Sequence, residues 1–292
     1  MRSLLSLSVA LAVAGFPAAA FGHEQGGEAR WQRVARCGGF LEGPVRLASG
    51  DLAVSDPLGG RLLRIDAAGT CHVTLQSPDL PNGQAFTAEG QLIVARRGGL
   101  MRVDPATGTT AMLVEAYEGE PLDIANDLAI DRHGGIYFTV PGQSSLVRPD
   151  GRVFYLPAGS REPELIADGL AFPNGIAVSP DGNSIRVAEF AAKRILWLPT
   201  RHSTRRFNVP HVFAHTSGGV GPDGLVFDEA GTLYAANIEA GTISRWDARG
   251  LPLPDLRLPG EAGLLVTNVL VENGWLIVTE ASLGEVWRLR LR

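Results

Sequence analysis

The chain has 292 residues, 45% of them hydrophobic and 20% charged, with a formal charge of −5. That composition supports a large buried core, and the absence of a basic stripe argues against a nucleic-acid partner. Thirty-six Gly and nineteen Pro are spread along the whole length, which points to many short strands joined by turns.

The first segment, "MRSLLSLSVALAVAGFPAAAFG", has one Arg, an apolar run from Leu4 to Phe16 and then small residues. This is the layout of a secretory signal peptide over residues 1–22, with cleavage after Ala20 or Gly22. The run is shorter than the roughly 20 residues a membrane-spanning helix needs, and no later segment is a better candidate for a span. The expected location is therefore exported, periplasmic or secreted. Cys37 and Cys71 are the only cysteines. In an exported chain they either pair or remain buried thiols, and neither has the neighbours of a zinc site.

From residue 42 onward six segments repeat one pattern. They read "EGPVRLASGDLAVSD" from Glu42, "NGQAFTAEGQLIVAR" from Asn82 and "NDLAIDRHGGIYFTV" from Asn126. They continue with "NGIAVSPDGNSIRVAE" from Asn174, "DGLVFDEAGTLYAAN" from Asp223 and "NVLVENGWLIVTE" from Asn268. The starts lie 40 to 49 residues apart. In each, a short apolar strand, a Gly-bearing turn and a second strand lead into a third, such as "GRLLRID", and a fourth, such as "TCHVTLQ". A period of this length with four strands predicts an all-β, six-bladed β-propeller over residues 29–292. A β-sandwich or a pair of small barrels fits the period less well. The last repeat ends after three strands, and "RWQRVARC", before the first repeat, supplies the missing outer strand. Closing the last blade in this way removes an unpaired sheet edge.

Inner strands of a propeller line its central channel, so Glu42, Asn82, Asn126, Asn174, Asp223 and Asn268 are expected to face one cavity at one end. All six carry a side-chain oxygen. Two carboxylates with several amides suit a hard divalent cation, calcium better than zinc. A single Asn-Gly would be ordinary turn chemistry; six oxygen-bearing residues in phase are not. At the ends of the second strands lie Asp56, Arg96, Val140, Glu189, Asn237 and Glu280, candidates for the pocket wall. The connectors "VEAYEGEPLDI" and "LPAGSREPELIADGLAF" are expected to overhang the pocket.

The pieces "LEGPV", "YEGEPLDIANDLAIDRHGGIYFT", "GLAFPNGIAVSPDG" and "GPDGLVFDEAGTLYAAN" together resemble the senescence-marker-protein/gluconolactonase family of regucalcin-like sugar lactonases. The resemblance implies a six-bladed propeller, one catalytic divalent cation and lactone hydrolysis. It carries the family's metal-binding Glu onto Glu42, its two metal-site Asn onto Asn126 and Asn174, and its Asp, ligand and base or nucleophile, onto Asp223. Asn126 also contacts substrate in some members. Asn82 and Asn268 would line the channel as substrate contacts. Two departures matter. Ile124 stands where regucalcin-like members grip the sugar with Arg, and Val140 stands where gluconolactonases often have an acid. Both point to a pocket less polar than that of a sugar lactonase. Gly43 replaces the acid with which paraoxonase-like relatives hold a second calcium, so one metal is expected.

The reading is a metal-dependent lactone hydrolase in which Asp223 activates water or attacks directly. The alternatives are a phosphotriesterase or arylesterase on the same metal, and a binding propeller without chemistry. Other catalytic routes are poorly supplied. Lys193 is the only lysine, His133 lies in a turn, and His211 and His215 lie in a strand and loop. No G-x-S-x-G elbow occurs.

Overall fold

The computed structural model describes residues 30–105 and 107–291; the signal-peptide expectation falls outside the described residues. Six four-stranded antiparallel sheets are arranged as the blades of a propeller. Blade 1 comprises Glu42–Arg46, Leu52–Asp56, Arg61–Ile65 and Cys71–Gln76. Blade 2 comprises Gln84–Phe86, Leu92–Arg96, Gly99–Val103 and Thr110–Val114, and blade 3 Leu128–Ile130, Ile136–Val140, Gly151–Leu156 and Glu164–Leu170. Blade 4 is built from Pro173–Val178, Ser184–Glu189, Arg194–Pro199 and His211–His215, and blade 5 from Gly221–Phe227, Leu233–Ile238, Thr242–Trp246 and Pro252–Arg257. Blade 6 takes Val266–Glu272, Trp275–Glu280 and Glu285–Arg290, with Gln32–Arg36 paired on its outer edge. The closing strand is thus the one expected from the short last repeat.

Position in the blade decides how each strand is buried. A second strand has a blade on either side, so "LAVSD", "IYFTV" and "SIRVAE" are buried at every position. Outer strands face solvent, and "PLPDLR" is exposed or half-exposed throughout. The core is accordingly divided into six clusters, one in each gap between neighbouring blades. Val94 and Met101 of blade 2 meet Ala53 and Leu62 of blade 1. Phe138 and Phe154 of blade 3 meet Ala95 and Leu100 of blade 2. Tyr137 and Tyr155 meet Ile185 and Val187; Ile195 meets Leu225 and Trp246; Ile243 meets Val278 and Trp287. The last gap packs Ile277, Val286 and Ala35 on Leu52, Val54 and Leu63.

One of the two connector expectations changes. "VEAYEGEPLDI" does form an excursion at the end where inner strands begin, with a small hairpin pairing Ala116–Tyr117 to Glu120–Pro121. "LPAGSREPELIADGLAF" does not overhang the pocket: it contains the outer strand Glu164–Leu170, and its turn lies at the opposite end of the blade. Val140 is not a pocket wall either, since its side chain is buried in the cluster between blades 2 and 3.

Cys37, just after the closing strand, is bonded to Cys71, which opens the outer strand of blade 1, with a Cα–Cα distance of 5.6 Å. The bond therefore fastens blade 6 to blade 1 where the ring closes. Cross-linking residues 34 apart removes loop entropy from the unfolded chain worth about 3–4 kcal/mol. Replacing both cysteines by serine is expected to lower the unfolding free energy by about 3 kcal/mol in urea titration. Reductant should shift the wild type by a similar amount and leave the double variant unmoved.

Candidate metal centre

Inner strands start with a distortion that aims their first side chains at the axis. The pairing register shifts between Glu42 and Val45, Pro173 and Ile176, Pro222 and Leu225, and Val266 and Asn268. Such bulges re-aim side chains. They carry Glu42, Asn174, Asp223 and Asn268, all buried. In blades 2 and 3 the ladder begins two residues later, at Gln84 and Leu128. Asn82 and Asn126 are half-buried there and are held by their main chains: Asn82 N–H donates to Ala95 O (2.8 Å), and Asn126 N–H to Thr139 O (2.9 Å). Ile124 is half-buried beside them, paired across a single bridge with Arg97.

Glycines let the inner strands approach closely enough to share one axis. A Cβ at Gly175 would stand 2.2 Å from Asp223 O, and one at Gly224 would stand 2.2 Å from Asn268 Oδ1. Gly43 and Gly83 are confined too, a Cβ there standing 2.8 Å from Asn82 O and 2.1 Å from Asp127 Oδ1 respectively. This explains the Asn-Gly and Asp-Gly pairs: the first residue serves the axis, and the second has to be bare for the neighbouring blade. Hydroxyls of the neighbouring strands pin the same level. Ser55 Oγ donates to Asn82 O (2.7 Å), Thr139 Oγ1 to Asn174 O (2.7 Å) and Thr267 Oγ1 to Leu41 O (2.6 Å).

The resulting cluster is acidic. Glu42 Oε2 accepts from Asn268 Nδ2 (3.2 Å) and from the Gly43 N–H (3.3 Å). Asp223 is hydrogen-bonded to Glu42 and to Asn174. Asp127, adjacent to Asn126, was not among the sequence candidates, yet it is the third carboxylate. Its Oδ1 accepts from Leu128 N–H (2.9 Å) and its Oδ2 from Ile176 N–H (3.4 Å), bridging blades 3 and 4. Burial and the charge of Asp127 push Glu42 up to about 8. Burial pushes Asp127 up to about 7. Asp223 is raised well above the usual carboxylate range by burial, then by Glu42 and Asp127. Below the cluster an axial cavity of about 370 Å³ runs on past Gln84, Asp127 and Asn268 to Arg46 and Glu272 at the far end. Gln84 Nε2 donates to Gly43 O (2.7 Å), while its buried Oε1 has no partner.

The second-strand ends act differently. Asp56, Glu189 and Glu280 accept from the N–H groups of Phe40, Ala171 and Leu265, clasping the chain that leads into each inner strand. Arg96 pairs with Asp79, and Asn237 bonds Ser244. These are structural clasps set back from the axis.

Among the described residues no three His, Cys, Asp or Glu side chains converge as a ready cage, so any metal here would be held by a mixture of carboxylate and amide. The residues fit such a group. Two mutually bonded buried carboxylates, Glu42 and Asp223, with the Asn174 amide beside them, form no ion pair among the described residues. Burying uncompensated carboxylates is costly unless a cation or protons balance them. Hard oxygen donors of this kind select Ca²⁺-like ions.

The fold and this centre define a class: a six-bladed propeller with an oxygen-lined axial site. Residues 40–280 match the model of the SMP-30/gluconolactonase/LRE-like region, and the chain belongs to that family. It is 32% identical over 174 residues to a gluconolactonase of Zymomonas mobilis, a match covering 53% of this chain and 48% of that one; the chain thus spans about half the length of that relative. Lactonase drp35 of Staphylococcus saprophyticus is 25% identical over 79% of this chain and 73% of its own. Among solved structures, a gluconolactonase from Xanthomonas campestris superposes with a TM-score of 0.79 at 27% identity over 91% of both chains. A calcium-binding regucalcin from Agrobacterium tumefaciens shares the fold at TM-score 0.76 and 20% identity, over 90% of this chain and 96% of its own.

Two outcomes follow from this geometry. The fold favours the protonated forms of Glu42 and Asp127, so the stability they confer is complete below the ordinary carboxylate range and is lost as pH rises through about 7 to 8. In chelator the melting temperature should therefore fall between pH 5 and pH 8, and saturating calcium should flatten the fall. An equal fall with calcium present would show that no cation compensates the cluster. Separately, Gly175→Ala is expected to destabilise the protein by about 3 kcal/mol, because the clash is with backbone; the check is urea unfolding.

Proposed function

We propose that this protein hydrolyses small lactones at the axial site, using one divalent cation, calcium, held by Glu42, Asn126, Asn174 and Asp223. The observation that carries the reading is the buried Glu42–Asp223 pair with Asn174 on Asp223 and no basic side chain to neutralise it. The names of the related gluconolactonase and drp35 lactonase support the reaction class, and the calcium-binding title of the regucalcin neighbour supports the metal. When bound, the cation would supply Lewis-acid polarisation of the lactone carbonyl.

The chain's own residues do the rest. Asp223 accepts the proton of an attacking water, or attacks the carbonyl itself. Water adds to the carbonyl carbon, the ring C–O bond breaks, the alkoxide takes up a proton, and the hydroxy-acid product releases one proton near neutral pH. Asn126 and Asn82, half-buried at the ring end, orient the substrate's polar atoms, with Asn268 bracing Glu42 from the channel side. Ile124 at the same end favours a lactone with an apolar substituent; Val140, buried in the core, takes no part. The leader-like residues 1–22 and the Cys37–Cys71 bond, at home in an oxidising compartment, support an exported enzyme.

The test is proton release in a pH-stat on lactones from gluconolactone to apolar γ- and δ-lactones, with phosphotriesters as the competing class, in calcium and in chelator. Calcium-dependent release from a lactone is expected, with Asp223→Asn lowering kcat by roughly 10²–10⁴-fold while the far-ultraviolet dichroism stays unchanged. Full activity in that variant, or release only from phosphotriesters, would overturn the proposal.

A further inference from the structure

The end of the propeller opposite the metal centre carries a surface that hydrolysis does not use. In blade 4 the third and outer strands, Arg194–Pro199 and His211–His215, are joined by a long segment at that end. The segment from 200 to 211, "TRHSTRRFNVPH", holds three arginines, two histidines and no acid, in a chain whose net charge is −5. It also presents Phe207 and Val209, 81% and 71% exposed.

This segment is held in place. Arg201 N–H donates to Tyr137 Oη (2.7 Å) and Thr204 N–H to Asn183 Oδ1 (2.9 Å), while Ser203 Oγ donates to Asn208 Oδ1 (2.9 Å). Arg205 lies over Trp197 and pairs with Asp181, and Arg201 pairs with Glu164. An anchored loop that leaves a Phe and a Val in water does so without a packing gain, so the exposure is built rather than incidental. The face extends to both neighbours. Gly182, in the blade 4 turn that holds Asp181, packs against the exposed Arg132 of blade 3. Gly250, in a blade 5 turn at the same end, packs against Phe213, bringing in Leu251, 52% exposed.

We propose that this face docks the protein on an anionic lipid surface. Arginines beside exposed aromatic and aliphatic side chains match the two layers of such a surface. The Arg206 guanidinium, which has no ion pair among the described residues, meets headgroup phosphates while Phe207 and Val209 enter the boundary with the acyl chains. A soluble polyanion would use the arginines and leave the apolar pair in water. Among the described residues no helix is long and apolar enough to cross a membrane, so the attachment is peripheral and reversible. It leaves the metal centre facing away from the bilayer.

The test is co-sedimentation of the purified protein with vesicles of phosphatidylcholine alone or mixed with phosphatidylglycerol. Binding to the anionic vesicles is expected at least tenfold above the neutral ones, weakening with salt. Phe207→Ser with Val209→Ser should lower it at least tenfold and Arg206→Glu several-fold, both with an unchanged melting temperature. No binding to anionic vesicles overturns the proposal. So does full binding by the apolar double variant, and loss confined to Arg206→Glu would assign the face to a soluble polyanion instead.

Discussion

Three carboxylates buried around one axis are the constraint on which the rest of this structure depends. Glu42, Asp127 and Asp223 come from blades 1, 3 and 5; burial raises the proton affinity of each, the charge of Asp127 raises that of Glu42 further, and both raise that of Asp223. Each would be cheaper in water. They stay together because every blade is fixed to its neighbours at the same level, so no single strand can retreat without opening the ring. The amides of Asn174 and Asn268 soften the repulsion by donating to Asp223 and Glu42. They add no charge, and that leaves the cluster short of positive charge.

The blade architecture supplies the rigidity this requires. Apolar clusters fill the gaps between blades further out, so the core is a closed series of interfaces with no central hydrophobic mass. The axis itself is left to the polar cluster at one end and to an open channel whose wall is mostly apolar, with Val45, Leu128, Ile176, Leu225 and Val269 in its lining. Closeness there comes from bare glycines and from hydroxyls that bind the next blade's carbonyl, both of which fix backbone and leave side chains free to act. The Cys37–Cys71 bond sits where that closed series would otherwise end, joining the closing strand to blade 1. A ring that opened at this seam would lose the Thr267 to Leu41 and Asn268 to Glu42 links first, and with them the geometry of the centre.

Most of this was legible in the residues, for a physical reason. Six in-phase oxygen-bearing residues, four of them followed by Gly, report a demand made by every blade, and a last repeat of three strands reports where the ring closes. Asp127 escaped notice because alignment by phase put Asn126 level with Asn174, while the bulges that turn the first residue inward are absent from the ladders of blades 2 and 3. The signal was present all the same: at the position that is Gly in four repeats, blade 3 has Asp and blade 6 has Val269. Glu164–Leu170 was missed as a strand for the opposite reason. Outer strands face water, so "ELIADGL" lacks the apolar alternation by which inner strands announce themselves. Val140 shows the converse error, since a strand-end position can be core even when its counterparts in other blades are charged clasps.

Polarity of the two ends follows from the same construction. Inner and third strands run away from the carboxylate cluster, so turns after the third strand emerge at the far end, away from that cluster. The longest of these on blade 4 carries arginines and an exposed phenylalanine, while the connectors at the ring end are tied down by Asp56, Glu189 and Glu280. A propeller thus separates two demands that conflict on one surface. One end must hold carboxylates close in a dry, over-determined ring. The other can vary in length and charge at little cost in stability, except in the blade 1 turn that packs on the closing strand and leads into Cys71. Function that needs precision belongs at the first end, and attachment at the second.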